Sequence, residues 1–162
     1  VMLSKRSHER IYEKVRALTP RTWGGTLDAC IQKINAYLRG WIGFFRICSS
    51  RETRTLQRLD SHIRRRLRAI VLRHWKRLST ARRKLRRLNI QPRVLKRWLT
   101  KGRSWWALAH TPAVDRGLSN AWFERRGLFS VEEKWREFNG KSEIGPTGQY
   151  RLGLDSGSKS RM

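Results

Sequence analysis

The chain has 162 residues, with 38 Lys and Arg against 12 Asp and Glu, and a formal net charge of +26. Hydrophobic residues at 38%, eight tryptophans among them, supply a buried core at this length and exclude wholesale disorder, so the charge is carried on a folded surface. A surplus of that size repels itself and calls for a polyanionic partner. No apolar run approaches the roughly 18 residues of a membrane span, so no membrane is expected among the partners.

Residues 7–18 place Ile11, Val15 and Leu18 at i, i+4 and i+7, which predicts a short amphipathic helix halted by Thr19-Pro20. A Trp23-Gly24-Gly25 turn follows. Thr26 is the expected N-cap of a long helix whose apolar side holds Leu27, Ile31, Ile34, Leu38, Trp41, Ile42 and Phe45. Gly40 and Gly43 interrupt it at a cost of about 1 kcal/mol each relative to alanine, which points either to a close approach by another backbone or ring or to a kink. A second long helix is predicted from Thr53 to Trp75 or Leu78. Its buried stripe holds Leu59, Ile63, Leu67, Ile70, Val71 and Trp75, and its other side holds Arg58, Arg65, Arg66, Arg73 and Lys76.

A third helix, capped by Ser79 or Thr80, sets Leu85 and Leu88 against Arg82, Arg83, Lys84, Arg86 and Arg87 and ends near Asn89. A further turn or two carries Val94, Leu95, Trp98 and Leu99 and stops at Lys101-Gly102. Thr111 as N-cap and Pro112 at the first helical position open one helix bearing Val114, Leu118 and Trp122, closed by Gly127. Ser130 and Glu133 form a capping box for a last short helix with Trp135 and Phe138. No stretch alternates with period two for long enough to predict a strand. From Asn139 the composition turns to Gly, Ser, Lys and Pro, which predicts a flexible tail. The expected fold is all α, with a three-helix, thumb-like bundle over residues 1–90, a helical appendage over 91–138 and a disordered tail over 139–162.

Between Ser61 and Val114 there is no Asp or Glu, so the cations of this segment lack local partners. A solvated face normally mixes signs, and this one does not. The candidate nucleic-acid-binding residues are Arg58, Arg64, Arg65, Arg66, Arg68, Arg73, Lys76, Arg77, Arg82, Arg83, Lys84, Arg86, Arg87, Lys96, Arg97, Lys101 and Arg103. Arginine outnumbers lysine among them, which favours bidentate phosphate contacts. Trp105 and Trp106 are either hydrophobic anchors or platforms for unstacked bases. At most one, with Trp105 the candidate, faces nucleic acid. The basic helices offer almost no Asn, Gln or Ser for base edges, so backbone and shape recognition, and hence structured RNA, is favoured over a sequence-specific operator.

Catalysis is not expected. The carboxylates are few and unpaired, and there is no phosphate-cradling Gly-rich loop, nucleophile elbow or pair of metal-binding aspartates. His8, His62, His74 and His110 are scattered without metal-ligand spacing, and Cys30 and Cys48 are expected as free core thiols, so no metal or cofactor is predicted. The absence of a signal peptide predicts an intracellular, cytoplasmic protein. The opening on Val1 is what a fragment would show.

"INAYLRGWIGFFRI", residues 34–47, resembles the signature of the maturase-specific domain of group II intron-encoded proteins, with its Asn, its Tyr-Leu-Arg-Gly-Trp run and a following aromatic pair. "KVRALTPRTWGGTLDACIQKIN" before it, and "LQRLDSHIRRRLRAIVLRHWKR" and "LAHTPAVDRGLSNAWFERRGLFS" after it, extend the similarity over roughly residues 4–138. The resemblance implies the thumb and maturase region, or domain X, of an intron-encoded reverse transcriptase of a mobile genetic element. That region binds structured intron RNA and assists splicing, while the ribozyme performs the chemistry. In the full-length protein it also grips an RNA–DNA template-primer or a DNA target. It implies that Gly40, Trp41, Phe44 and Phe45 are structural, Gly40 by allowing close approach, and that Arg39 is the signature residue placed to touch RNA. Mg2+ is expected only with bound RNA or in the polymerase domains, whose motifs this sequence lacks; those N-terminal reverse transcriptase domains are the expected protein partner. The competing readings are a stand-alone basic helical DNA-associated protein and an inactive reverse transcriptase fragment.

Overall fold

The computed structural model describes residues 3–45 and 52–143. Among them the regular elements are α-helices: α1 (Lys5–Leu18), α2 (Leu27–Phe44), α3 (Thr53–His74), α4 (Leu78–Arg87), α5 (Pro92–Trp98), α6 (Trp105–Leu108), α7 (Pro112–Gly117), α8 (Asn120–Arg125) and α9 (Val131–Glu143). No strand occurs among the described residues, and none of these helices is long and apolar enough to cross a membrane.

α1 starts two residues before the predicted position because the Ser4 hydroxyl accepts the Ser7 N–H at 3.2 Å. It ends where Thr19 turns its hydroxyl back onto the Val15 carbonyl at 2.6 Å, just before Pro20. Thr26 caps α2 as expected, accepting from the Ala29 N–H at 3.2 Å. Ile31, Ile34, Leu38 and Ile42 of α2 are buried, as are Leu59, Ile63, Leu67, Ile70 and Val71 of α3, while Trp41 and Trp75 are half-buried. With Ile11 and Val15 of α1 these side chains form the interior of a three-helix bundle.

α4 departs from the expected cap. The chain leaves α3 through Lys76 at φ 61° and an extended Arg77, and the helix restarts at once, so Ser79 and Thr80 fall inside its first turn. Its end is a Schellman motif: Asn89 takes φ 64°, its N–H reaches the Arg86 carbonyl at 3.0 Å, and the Ile90 N–H reaches Leu85 at 3.2 Å.

The single helix predicted over 112–127 is two. The Leu118 carbonyl, which a continuous helix would offer to the Trp122 N–H, is taken instead by Arg68 Nε at 2.9 Å. Trp122 donates to the Ser119 hydroxyl at 3.2 Å, and that hydroxyl starts α8 afresh. Gly117, at the end of α7, presses on the α4 terminus: a Cβ there would stand 2.4 Å from Leu85 Cδ2. Gly127, at φ 82°, closes α8: its N–H reaches the Glu124 carbonyl at 2.9 Å, and the Leu128 N–H reaches the Phe123 carbonyl at 3.1 Å.

Ser130 accepts from the Glu133 N–H at 3.3 Å, one of the two bonds of the expected capping box. The other contribution to this helix start comes from α3: the buried Asp60 carboxylate accepts from the Val131 and Glu132 N–H groups at 3.0 and 3.1 Å and from the Ser130 hydroxyl at 2.8 Å. Burial raises the Asp60 pKa, and these bonds oppose the rise. α9 continues to Glu143, past the residue where the tail was expected to begin, and the rest of that predicted tail lies outside the described residues. α9 packs on α2 and α3, and α6 packs on α3, so helices on both sides of residue 90 feed one apolar cluster from Ile11 to Trp135.

Candidate nucleic-acid interface

The outer side of α3 follows from its periodicity. At about 100° per residue, Arg54, Arg58, Ser61 and Arg65 fall on one line diametrically opposite the buried stripe of Leu56, Leu59, Ile63, Leu67 and Ile70. The three arginines are exposed and, with Tyr12 of α1, line a cleft of about 640 Å³. Burial raises the Tyr12 hydroxyl pKa, and the Arg58 charge partly offsets it. Arg54 belongs to this group although it lies outside the run singled out from sequence. Arg73 and Lys76, also exposed, follow at the end of the helix.

A second cationic surface is built by α4 and α5. Arg83, Lys84, Arg86 and Arg87 are exposed along α4, and Lys96 and Arg97 along α5. The groove between the two helices, about 540 Å³, has Pro92 and Leu95 on its floor and Arg82, Arg83, Arg86 and Lys96 around it. Lys84 also sits 5.7 Å from the Trp75 ring centroid. Arg77, Lys101 and Arg103 are exposed in the connecting turns. Among the described residues the ion pairs are Arg68–Asp115, Arg126–Asp28, Lys134–Glu137 and Arg136–Glu132, so the exposed cations of α3, α4 and α5 are not neutralised by carboxylates.

Three of the candidates are turned inward. Arg66 is buried rather than on the cationic side: its Nε donates to the Thr19 hydroxyl and an Nη to the Thr19 carbonyl, both at 2.6 Å, so it tethers the end of α1 to α3. Arg68 is likewise buried, bonded to Leu118 and paired with Asp115 at 2.8 Å. Arg82 is half-buried and donates to the Leu99 carbonyl. Arg64 is half-buried and bonded to the Ser61 hydroxyl at 3.3 Å.

The tryptophan pair opens α6 behind a Ser104 cap. Both rings are half-buried. Trp106 meets His62 at 6.4 Å and His110 at 4.6 Å, with Arg21 at 5.1 Å from its centroid. Three histidines scattered in sequence thus share one row of rings, His8–Tyr12–His62–Trp106–His110. Burial, then the charges of Arg66, Arg16 and Arg65, push the His62 pKa down to about 4. Its Nε2 is buried and unbonded among the described residues. No metal-binding group of His, Cys, Asp and Glu forms among the described residues. Cys30 is a buried free thiol whose pKa burial raises to about 11, and Cys48 lies outside the described residues.

With α1 to α4 laid out, the sequence model of the group II intron maturase-specific domain matches residues 8–89. The chain belongs to that family. Among curated proteins none matches it. The matched span of this maturase-specific domain runs from within α1 to Asn89, which closes α4.

The signature residues of the maturase-specific domain now acquire positions. Asn35, buried, donates Nδ2 to the Gly127 carbonyl at 2.6 Å and accepts the Phe129 N–H at 2.8 Å on Oδ1. One turn on, exposed Arg39 lies 5.9 Å from the Phe129 ring centroid. The signature therefore clasps the segment between α8 and α9, a role its sequence alone does not disclose. Trp41 packs on Phe45 at 4.3 Å. Among the described residues a Cβ on Gly40 or Gly43 would meet nothing within 4 Å, so no close approach by them explains the two glycines, and Phe44, expected to be structural, stands 83% exposed.

Proposed function

We propose that this maturase-specific domain binds folded group II intron RNA, holding the ribozyme in its splicing-competent form while the RNA performs the chemistry. The observation that carries this reading is the set of exposed arginines and lysines on α3, α4 and α5, none of them paired with a carboxylate among the described residues. Guanidinium groups on rigid helices meet phosphates in bidentate fashion, and release of the condensed counterions drives association. In this reading the contacts are made by Arg54, Arg58 and Arg65 on α3 and by Arg83, Arg86 and Lys96 around the α4–α5 groove, while Arg66 and Arg68 hold the scaffold. The chain supplies no chemistry of its own, and Mg2+ enters with the RNA. Joined to polymerase domains, the same surface would grip template and primer.

Competition at physiological salt tests the reading. A labelled group II intron RNA bound to the protein is challenged with unlabelled intron RNA or with duplex DNA. Intron RNA should displace the probe at a concentration about tenfold or more below that of duplex DNA, because a deformable, folded RNA presents phosphates in three dimensions. Equal displacement would assign the protein to general polyanion binding and overturn the proposal.

A further inference from the structure

Beyond the two broad cationic surfaces, a slot of about 370 Å³ lies between α5 and α7, outside the span matched by the family. Three i, i+4 pairs converge on it: Val94 with Trp98 and Arg93 with Arg97 from α5, and Pro112 with Arg116 from α7. Val94, Trp98 and Pro112 make an apolar lining, while Arg93, Arg97 and Arg116 are exposed at its rim. The Arg97 guanidinium rides 5.5 Å from the Trp98 ring centroid. Asp115, the acid next to Arg116 in the chain, is already paired with Arg68.

We infer that this slot receives a single unstacked nucleotide of the RNA, its base against Trp98, Val94 and Pro112 and its flanking phosphates on Arg93, Arg97 and Arg116. The inference rests on the RNA-binding reading above and adds a preference for unpaired nucleotides. The volume lies at the small end of ligand sites, about 300–1,000 Å³, enough for one base with its sugar and too small for a duplex. An apolar floor alone would suit many ligands, but three unneutralised arginines around it select an anionic one. Aromatic ring, apolar wall and guanidinium together are the means by which proteins hold an unpaired base. Trp105, singled out from sequence for this task, does not line the slot; Trp98 does.

The test uses the full chain and two RNA hairpins, one blunt and one with a short single-stranded tail containing 2-aminopurine. The tailed hairpin should bind more tightly, with its 2-aminopurine fluorescence quenched. Trp98→Ala should weaken that complex by about five- to a hundredfold and abolish quenching, while binding of the blunt hairpin is unchanged. Because Trp98 is half-buried, the exposed pair Arg93→Glu and Arg116→Glu, with thermal melts as control, provides a second variant expected to erase the tail preference. Equal affinity for the two hairpins, or quenching that survives Trp98→Ala, would overturn the slot while leaving RNA binding intact. Failure of both hairpins to bind would likewise overturn the slot, and the RNA reading itself falls if intron RNA also fails to bind.

Discussion

Arg65 and Arg66 are neighbours in sequence and, on this structure, have opposite tasks. Replacing Arg66 by Ala removes two hydrogen bonds of 2.6 Å to Thr19, leaving the Thr19 carbonyl buried without that donor. Hydrogen bonds to a charged group contribute roughly 1.5–3 kcal/mol each. The sum is offset by the desolvation of a buried cation and by repulsion from Arg21 and Arg16, both of which also depress the Arg66 pKa. A net loss of about 2–3 kcal/mol follows, or a fall in Tm of about 5–10 °C for a chain of this size. Arg65→Ala, on the exposed line of α3, should leave Tm within about 1–2 °C, as an ordinary surface change does, and weaken RNA binding. Thermal melts and RNA titrations of the two variants decide the matter. An Arg66→Ala protein that melts with wild type but binds RNA poorly would refute the assignment of inward and outward faces.

Asp60→Ala should cost about 2–3 kcal/mol in urea denaturation, since it strips the Val131 and Glu132 N–H groups of their partner and frees the start of α9; an unchanged midpoint would mean that α9 is held by apolar contacts alone. His62, depressed to about 4 in the folded protein against about 6.5 unfolded, contributes stability that is fully present above pH 6.5 and lost as pH falls toward 4. The drop in Tm between pH 7 and pH 5 should therefore be smaller in His62→Phe than in wild type, a comparison in which the opposite tendency of Asp60 cancels. Gly40→Ala should stabilise by about 0.5–1 kcal/mol, because the site is helical and open, whereas Gly117→Ala should destabilise by about 1–3 kcal/mol through its clash with Leu85. Calorimetric melts showing the reverse order would contradict the packing described.

The bundle was legible because its signals are local. The i, i+4 stripes of α1, α2 and α3, the Thr26 cap and the Gly127 stop each act within one or two turns. What escaped the sequence depends on contacts between distant segments. An arginine one step beside the apolar stripe is interior only if a carbonyl left over at a helix end comes within its reach, and the carbonyls that turn Arg66 and Arg68 inward belong to Thr19 and Leu118, 47 and 50 residues away. The break between α7 and α8 has the same origin, since Arg68 competes for the Leu118 carbonyl. Asn35, though part of the signature, and Asp60 have no partner legible in the sequence, because the α8–α9 connection that bonds with both lies 71 to 94 residues further on. The cationic surface was legible as a charge imbalance, but its division between α3 and the α4–α5 groove, and the presence of Arg54, required the packing of α1 and α5.

The central claim is that RNA is held by many phosphate contacts from exposed guanidinium and ammonium groups. Its most direct measurement is the affinity for intron RNA as a function of salt. If about six to eight phosphates are neutralised, log affinity should fall against log salt with a slope of about −4 to −7, less steep when Arg54, Arg58 and Arg65 are replaced together. A slope near −1, unmoved by those replacements, would contradict it.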